Sequence, residues 1–283
     1  MTKRREFEEH LHTLREITGI LGAMKNFALM ETQKLSRFLL TQRRVVESIE
    51  MAATDFLTFY PAGTHRLDRG KPVYLLIGSE RGLCGDFNET LLARLESVLQ
   101  EVPEEESDLV LVGIKLIDKL KDDPRVVAAL PGPNLTDEVQ LVLVHLMDAI
   151  RDVQSRRNSS SPMNLTIIHY RAGAEETHIH VRQPFHPVKR ATAQYPYPPT
   201  LNLEPFVLAA ELFDHYLLST LHEVFFSSLM AENLRRFQHM DQAIQRLERD
   251  IGELTLKRNG LRQEEITEEI EIIMLSADAL RAP

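Results

Sequence analysis

The end of the chain lacks proline between Pro205 and Pro283, and this absence constrains the fold more than any other feature. Proline breaks the interior of a helix, so a long segment without it can form one continuous helix. Apolar residues recur in this segment at steps of three and four, which places them on one helix face. They are Phe237, Met240, Ile244, Leu247, Ile251, Leu254 and Leu261, followed after a longer step by Ile266, Ile270, Ile273, Ala277 and Leu280. Because charged residues flank this stripe, we predict a coiled-coil helix over residues 204–280.

The first part of the chain offers a partner for this helix. Two rows of mostly apolar residues advance there in steps of seven, which predicts a second coiled-coil helix over residues 1–60. The first row is Phe7, Leu14, Leu21, Ala28, Leu35, Gln42, Ile49 and Phe56, and the second is His10, Ile17, Met24, Glu31, Phe38, Val45, Ala52 and Phe59. We expect the two terminal helices to pair in antiparallel fashion around an inserted domain. The alternative is a homodimer formed through each stripe separately.

The middle of the chain alternates between short apolar runs and amphipathic segments. Apolar runs typical of buried strands occupy residues 72–78 and 109–112, with a weaker third at 126–130. Helical patterns occupy residues 89–99 and 137–152, and residues 158–162 form a predicted loop. Residues 165–168 and 177–182 have the pattern of two closing strands, which could form an antiparallel hairpin across residues 172–176. This alternation predicts an open α/β (Rossmann-like) domain over residues 70–190. Proline-rich residues 184–205 then return to the long helix as an extended segment. The predicted fold class is therefore α/β with a long coiled coil, in which antiparallel N- and C-terminal helices flank the inserted domain.

Composition narrows the classes of function. The formal net charge is −9, and the basic residues near the N-terminus are interspersed with glutamates, so a nucleic-acid partner is not expected. The single cysteine, Cys84, excludes a disulfide within the chain and fits a reducing compartment. No apolar run reaches the roughly 18 residues that a membrane span requires, and the charged N-terminal segment does not resemble a secretory leader.

The segment Ser79–Asn88 is the most unusual local stretch. Its two glycines, Gly82 and Gly85, follow a predicted strand and precede a predicted helix, where backbone N–H groups could hold a phosphate. The spacing matches neither common phosphate-binding motif, and the alternative is a shaped turn whose glycines provide positive φ or close approach. Cys84 could act as a nucleophile near a helix N-terminus, but no partner base is recognisable, which favours a buried, inert thiol.

The remaining polar clusters do not predict chemistry. His178 and His180 share one face of a strand, with His169 and His186 nearby in sequence. Two histidines without an identifiable third ligand do not define a metal site. The glutamates of residues 264–271 spread too far around a helix to act as an acid/base pair. We therefore expect no catalytic residues, no metal ligands and no cofactor in this chain.

Two motifs resemble the gamma subunit of F-type rotary ATP synthases, and the resemblance extends over nearly the whole chain. Ser79–Asn88 (SERGLCGDFN) resembles the family's Ser-Asp-Arg-Gly-Leu-Cys-Gly-Gly-Phe-Asn turn. Residues 258–263 (RNGLRQ) and 266–272 (ITEEIEI) resemble its Tyr-Asn-x-x-Arg-Gln and Ile-Thr-x-Glu-Ile-x-Glu-Ile signature. Looser matches are residues 20–24 and 240–243. Asp86 departs from the family by replacing a glycine, and such departures suggest a divergent gamma subunit, for which we hypothesise a place in a second, alternate rotary ATPase of its host.

The resemblance implies a set of partners and contact residues. The terminal helices would enter a hexamer of alpha and beta subunits, and the α/β domain would lie beside the epsilon subunit and the membrane-embedded c-subunit ring. One copy would be present in each complex, at the cytoplasmic face of a bacterial or archaeal inner membrane. The residues implied to contact the beta subunit are Met24, Arg262, Gln263, Glu265, Thr267 and Glu269. The residues implied to form the turn of the α/β domain are Arg81, Gly82, Cys84, Gly85 and Asn88.

The implied function is that of a central-stalk rotor, which couples ion flow through the membrane ring to conformational change at catalytic sites on the beta subunits. A rotor needs stiffness and asymmetry, because each beta subunit must meet a different face of it. One alternative is an α/β enzyme that binds a nucleotide at residues 82–88. The other is a coiled-coil adaptor without a rotor function, although the stalk protein of vacuolar-type ATPases lacks an inserted α/β domain.

Overall fold

A computed structural model describes residues 2–60, 72–100, 107–156, 164–173, 177–184 and 197–279. The chain divides into two compact units. One, which we call the helical-pair unit, comprises Met1–Phe27 and Phe237–Pro283, and the other, the α/β unit, comprises Ala28–Arg236. The sequence analysis instead predicts three domains, over residues 1–60, 70–190 and 204–280, and this division stays a prediction.

Two long helices are the terminal elements of the chain, as the sequence predicts. Helix α1 spans Thr2–Phe59 and helix α5 spans Pro205–Ala279. Within the α/β unit they run antiparallel, because residues of increasing number on α1 meet residues of decreasing number on α5. The contacting pairs are Phe38 with Phe226, Gln42 with Ser219, and Glu50 with Tyr216. In the helical-pair unit, Lys25 of α1 pairs with Asp241 of α5.

Among the described residues, five strands form one sheet in the order β3-β2-β1-β4-β5. Their bounds are β1 Val73–Ile77, β2 Asp108–Val112, β3 Val126–Leu130, β4 Leu165–Ala172 and β5 Thr177–Arg182. All neighbouring pairs are parallel except β4 and β5, which form the predicted antiparallel pair. Every residue of β1 and β2 is buried, as expected of strands covered on both faces.

Helices cover both faces of this sheet. Helices α2 (Phe87–Leu99) and α3 (Ile114–Ile117) pack on one face, and α4 (Val139–Arg156) packs on the other. The α4 face also receives Leu35 of α1 and several apolar residues of α5. Those α5 residues are Leu217, Leu221, Val224, Phe225 and Leu229. The predicted Rossmann-like layering is therefore confirmed, with the terminal helices contributing to one of its layers.

The second predicted row of α1 is wrong. Most of its members are exposed, including Ile17, Met24, Phe38 and Val45, whereas the row one position later packs inward. The buried members of that later row are Leu11, Thr32, Leu39 and Val46. The first row is correctly placed, since its members are buried or half-buried. Apolar content therefore indicated the wrong second row, because the inward row contains polar residues.

Local bonds allow polar side chains to occupy the inward row. Thr18 and Thr32 donate their hydroxyls to the carbonyl oxygens of Leu14 and Ala28, at 2.8 Å in each case, so their polar groups are satisfied within the helix. Glu31 belongs to the rejected row yet is buried. Its carboxylate is directed to the 3₁₀ turn (Thr136–Glu138) that precedes α4. There it accepts hydrogen bonds from the backbone N of Thr136 at 3.2 Å and from the Thr136 hydroxyl at 2.8 Å.

The predicted stripe of α5 is inward-facing only in its first part. From Phe237 to Leu261 its members are buried or half-buried, but Ile266, Ile270 and Ile273 are 46%, 52% and 65% exposed. Both helices rise about 1.5 Å per residue. Because Lys25 lies opposite Asp241, the 24 residues before Lys25 reach along α5 only to about residue 265. Beyond that point the described residues of α5 continue as a helix, and no described residue of α1 reaches beside them.

Some predicted segments lie outside the described residues. They are the loop of residues 158–162, the turn between β4 and β5, most of the return at residues 184–205, and Leu280. The short helix α3 was missed because its four residues follow β2 after a single glycine, Gly113, and show too few positions for a periodic pattern.

Candidate functional site

The turn of residues 79–86 follows β1 at the carboxyl edge of the sheet. The direction of the strand order reverses beside β1, since β2 lies on one side of it and β4 on the other. Such a reversal is the topological switch point, where open α/β sheets bind their ligands. The turn therefore occupies the position at which a ligand-binding domain of this architecture would have its site.

The turn is fixed by bonds between its two ends. The Ser79 backbone N donates to Asn88 Oδ1 at 3.0 Å, and Asn88 Nδ2 donates to Ser79 Oγ at 2.8 Å. Between them, Gly85 has a φ of 64°, as predicted for a glycine that provides positive φ. Gly82 provides neither positive φ nor close approach, and the neighbouring Leu83 has a φ of 62° instead. The shaped-turn interpretation therefore holds for one of the two glycines.

Close packing at the start of the turn depends on two other glycines. A Cβ on Gly78 would lie 2.4 Å from Leu116 Cβ. Gly113 has a φ of 108°, and a Cβ there would lie 2.8 Å from the carbonyl oxygens of Gly78 and Ser79. These contacts bring the segments after β1 and β2 together more closely than side chains would permit.

Cys84 is buried within the turn. Its Sγ lies 3.6 Å from the Arg81 carbonyl oxygen, and burial raises the pKa of the thiol, although a hydrogen bond from Ser79 opposes this effect. A nucleophilic cysteine requires a lowered pKa and access to substrate. Cys84 has neither property, which agrees with an inert thiol.

Helix α5 binds the turn through a buried ion pair. The Glu232 carboxylate accepts hydrogen bonds from the backbone N of Glu80 at 3.4 Å and of Arg81 at 3.3 Å. It also pairs with Arg236, one helical turn later, whose Nε donates to the Gly82 carbonyl oxygen at 3.3 Å. Glu232 and Arg236 are only 4% and 6% exposed. We call these two residues and their bonds to the turn the α5 clamp.

The surroundings of Glu232 shift the pKa of its carboxyl group in opposite directions. Burial raises its pKa, whereas the charge of Arg236 and the two backbone N–H groups stabilise the ionised form. Asn233 Oδ1 accepts from Arg236 Nη1 at 2.9 Å and helps to hold the guanidinium in place. A buried pair with this many partners is typical of a specific structural contact rather than of a surface ion pair.

A second carboxylate joins the loops along the same edge. Glu80 Oε2 accepts from the backbone N of Ile114 at 2.9 Å and of Gly132 at 2.6 Å. Arg81 Nε donates to Asn134 Oδ1 at 2.6 Å. The segments after β1, β2 and β3 are thereby fastened together. The arrangement is suited to mechanical connection, because its polar groups are engaged with one another.

Asp86, which replaces the glycine of the resembled family, has a partner on α5. Its Oδ1 lies 3.1 Å from Arg235 Nη1. The next residue, Phe87, stacks on Tyr170 of β4 with ring centroids 4.0 Å apart, and the Tyr170 hydroxyl donates to the Phe87 carbonyl oxygen at 3.0 Å. The departure at Asp86 therefore adds an exposed contact to the α5 clamp without disturbing the packing beneath it.

Comparison with known proteins identifies the family. A family model described as ATP synthase matches residues 3–280. The chain belongs to the ATP synthase family.

Curated relatives cover the chain from end to end. The ATP synthase gamma chain of Acidithiobacillus ferrooxidans is 24% identical over 299 residues, which cover 99% of this chain and 100% of that one. The ATP synthase gamma chain of Moorella thermoacetica is 26% identical over 310 residues, with the same coverage of both chains. The resemblance to the gamma subunit is thereby confirmed.

Solved structures agree on the fold of this ATP synthase family member. A chain of the Euglena gracilis mitochondrial ATP synthase (OSCP/F1/c-ring) matches with a TM-score of 0.61 and 16% identity, covering 99% of this chain and 95% of that one. A chain of the Tetrahymena thermophila mitochondrial ATP synthase (central stalk/c-ring) matches with a TM-score of 0.55 and 15% identity, covering 79% of this chain and 99% of that one.

The residues implied to contact a beta subunit lie in the helical-pair unit of this family member. Met24 is 37% exposed and shares one face of α1 with the exposed residues Ile17, Ile20 and Phe27. On α5, Arg262, Gln263, Thr267 and Glu269 are exposed, and Glu265 is half-buried. The Thr267 hydroxyl donates to the Gln263 carbonyl oxygen at 2.9 Å. The turn of residues 79–88 belongs to the α/β unit.

Two of the histidines lie on neighbouring strands. His169 of β4 and His180 of β5 lie opposite each other with ring centroids 5.7 Å apart, and His186 lies outside the described residues. Within the described part of the chain, no group of three potential ligands could hold a metal ion. Nor is any helix in that part long and apolar enough to cross a membrane.

Another polar cluster links β5 to both terminal helices inside the α/β unit. Arg182 donates to Glu223 of α5 at 2.6 Å and to Glu50 of α1 at 3.0 Å. Tyr216 donates to the same Glu50 oxygen at 3.0 Å, and Arg43 Nε lies 3.6 Å from Glu223. This network fixes the edge of the sheet to the antiparallel helices.

Sequence reasoning missed the α5 clamp and the Glu223 network. The clamp had a visible signal, since Glu232 and Arg236 form an i, i+4 charged pair in a segment whose apolar residues include Phe225, Leu229 and Ala231. Charges placed on a buried helix face require partners, so the pair predicts a polar contact on the element that covers it. The identity of that element could not be read from spacing alone.

Proposed function

We propose that this chain is the central-stalk rotor subunit of a rotary F-type ATP synthase. In this role it couples ion flow through a membrane ring to conformational change at catalytic sites on beta subunits. The chain itself carries out no reaction, and the chemistry belongs to its partners. This function rests on membership of the ATP synthase family together with relatives named as gamma chains.

The structural observation that supports this proposal best is the antiparallel pairing of the two terminal helices. Lys25 and Asp241 connect them in the helical-pair unit, and the contacts from Phe38–Phe226 to Glu50–Tyr216 connect them in the α/β unit. Two packed helices resist bending and twisting better than one. A rotor needs this stiffness, because compliance would absorb the strain that each beta subunit must receive.

We assign the contacts with the catalytic hexamer to the exposed residues of the helical-pair unit. The apolar face of Ile17, Ile20, Met24 and Phe27 on α1 offers one surface. The end of α5 offers another, which includes Arg262, Gln263, Glu265, Thr267 and Glu269. An exposed apolar face such as the one on α1 is typical of surfaces that contact other proteins.

The other proposed partners contact the α/β domain, residues 70–190. They are an epsilon subunit and the c-subunit ring, so the chain is peripheral to the membrane and lies at its cytoplasmic face in a bacterial or archaeal host. The helices of residues 1–60 and 204–280 form the shaft in this division. The enzyme alternative is not favoured, because the switch-point crevice is occupied by Glu232 and the Cys84 thiol is buried.

Co-purification tests the proposal directly. The tagged chain, recovered from its host under mild conditions, should bring down alpha and beta subunits in a ratio of three to three to one, which native mass spectrometry measures. Detergent extracts should add an epsilon subunit and the c-ring. Recovery of the chain as a monomer, or in a complex without nucleotide-binding subunits, would contradict the rotor assignment.

A matched pair of variants refines the same test. Met24→Asp places a charge on the exposed apolar face of α1 and should weaken assembly with the hexamer. Met51→Asp changes an exposed methionine of α1 in the α/β unit and should leave assembly with the hexamer unchanged. Equal effects of the two variants would argue against the proposed contact face.

A further inference from the structure

Helix α5 crosses the carboxyl edge of the sheet at the switch point. The backbone N of Ala172, at the end of β4, donates to Ser227 Oγ at 3.0 Å. Ser228 Oγ donates to the carbonyl oxygen of Ile77, at the end of β1, at 3.4 Å. One helical turn later, Glu232 reaches the turn that follows β1. The crevice between the ends of β1 and β4 is therefore filled by a helix of the same chain.

The groups that surround the Glu232 carboxylate are those of an anion-binding site. Two successive backbone N–H groups, of Glu80 and Arg81, point at its two oxygens, and the guanidinium of Arg236 lies against it. Consecutive backbone N–H groups together with an arginine are a common arrangement for binding phosphates and carboxylates. The two backbone donors belong to the turn that follows β1, which is where α/β sheets that bind ligands place such donors. The anion that they bind here is the Glu232 side chain of α5.

We propose that Glu232 is a built-in ligand, whose carboxylate occupies an anion-binding site of the α/β domain and thereby fastens this domain to α5. The site would accept a small free carboxylate or phosphate once the Glu232 side chain is removed. This inference does not depend on the rotor function, because it concerns only contacts within the α/β unit.

The geometry separates this proposal from an ordinary helical ion pair. An i, i+4 pair on a helix surface needs no backbone donors from another element and stays largely exposed, as Arg5 and Glu9 do at 82% and 70% side-chain exposure. Without Glu232, the part-buried N–H groups of Glu80 and Arg81 would lose their acceptor and the buried Arg236 would lose its counter-ion, which is unfavourable. Arg236 would keep its bonds to Gly82 and Asn233, so the vacated site would stay positively charged.

Chemical rescue of thermal stability tests the proposal in the full-length chain. Glu232→Gly removes the carboxylate, and Ala231→Gly, at a fully buried neighbouring position, is the matched control for the added glycine. The midpoints of unfolding are compared in sodium acetate and in sodium chloride at equal ionic strength. Acetate at about ten times its dissociation constant should raise the midpoint of Glu232→Gly by roughly 3 °C relative to chloride. Wild type and Ala231→Gly should show no difference between the two salts.

A phosphate arm measures the size of the vacated site. A rise with phosphate as well as with acetate indicates a site that admits tetrahedral anions, and a rise with acetate alone indicates one that admits only planar carboxylates. Both outcomes support the proposal. Equal midpoints of Glu232→Gly in all three salts would overturn it, as would an acetate effect of the same size in Ala231→Gly.

Two further variants keep the test decisive if Glu232→Gly does not fold. Glu232→Gln preserves volume and should fold with a lower midpoint. Glu232→Leu/Arg236→Leu removes both charges, so it should unfold at a higher temperature than Glu232→Leu alone and should show no acetate effect. A double variant that is less stable than Glu232→Leu would contradict the proposal, because it would show that Arg236 stabilises the fold without its anion.

Discussion

Lys25 Nζ lies 3.0 Å from Asp241 Oδ1 and 5.8 Å from the centre of the Phe237 ring. This pair joins α1 to α5 in the helical-pair unit, and it involves an inward-facing position that apolar periodicity did not select. The lysine is accommodated because its ammonium lies over the phenylalanine ring and meets a carboxylate. We infer that this polar contact helps to set the register of the helical pair.

Charge reversal at this pair should reveal its contribution. Lys25→Asp and Asp241→Lys should each lower the free energy of unfolding by about 1 kcal/mol, because each places like charges together. The double variant restores opposite charges and should recover at least about half of the summed loss. Denaturant unfolding of the four proteins measures this coupling.

The exposed pair Arg5 and Glu9 provides the control for that cycle. Its partners lie on one helix and are mostly solvated, so reversal of both charges should produce no measurable coupling. Strictly additive effects at Lys25 and Asp241 would show that the pair does not set the register.

Gly113 should tolerate no side chain. Gly113→Ala forces a Cβ into a φ of 108° and to within 2.8 Å of two carbonyl oxygens, so the free energy of unfolding should fall by about 2 kcal/mol or more. Gly82→Ala is the control, since nothing lies within 4 Å of its Cβ, and its effect should stay within about 0.5 kcal/mol. Thermal unfolding of both variants distinguishes them, and similar losses would contradict the structure of the turn.

The elements that the sequence specified well are those fixed by local pattern. The long helices follow from the absence of proline after Pro205 and from apolar spacing, and the buried strands follow from apolar runs such as Val73–Ile77. The turn at Gly85 follows from glycine's freedom to adopt positive φ. Each of these signals lies within a few residues of the feature that it predicts.

Features that depend on distant partners could not be predicted. The choice between the row of Met24 and the row of Lys25 depends on whether Asp241 lies opposite, which no local pattern records. The clamp likewise requires Glu232 to meet Glu80 across 152 positions of sequence. Pairwise contacts at such separations are set by the assembled tertiary structure, so single-sequence reasoning identifies the charges but not their partners.

Glycines in the helical-pair unit should be replaceable with a gain in stability. Gly19 and Gly252 lie within helices, and a Cβ added to either would have no atom within 4 Å, so each glycine weakens its helix without providing a close contact. Gly19→Ala and Gly252→Ala should each raise the free energy of unfolding by about 0.5–1 kcal/mol. Denaturant unfolding of the isolated chain measures the gain, and a loss in either variant would indicate a contact at that glycine.

His169 should make the fold sensitive to acid. Burial lowers its pKa to about 3, and the positive charges of His180, Arg182 and Arg171 act in the same direction. Between this value and the unfolded pKa of about 6.5, only the unfolded chain binds the proton, so stability must fall as the pH falls. The expected slope from this residue is about 1.4 kcal/mol per pH unit below pH 6.5.

A variant that cannot titrate isolates this contribution. His169→Asn retains a donor for the Tyr170 carbonyl oxygen, which lies 2.9 Å from His169 Nδ1, but should flatten the dependence of stability on pH between about pH 4 and pH 6. His145→Gln changes an exposed histidine and should leave the wild-type slope in place. An unchanged slope in His169→Asn would show that other groups dominate acid unfolding.

Cys84 should report on the integrity of the α5 clamp. Because the thiol is buried and its pKa is raised, it should react with a disulfide reagent at least about a hundredfold more slowly in the native chain than in the unfolded chain. Arg236→Ala removes the donor to the Gly82 carbonyl oxygen and leaves Glu232 buried without its counter-ion, so the turn should open more often and labelling should accelerate. Arg94→Ala, which changes an exposed arginine of α2, is the matched control and should leave the rate unchanged. Equal labelling rates in wild type and Arg236→Ala would mean that the turn keeps its closed conformation without Arg236, and that its remaining contacts, which include the bonds to Glu232, are sufficient to hold it.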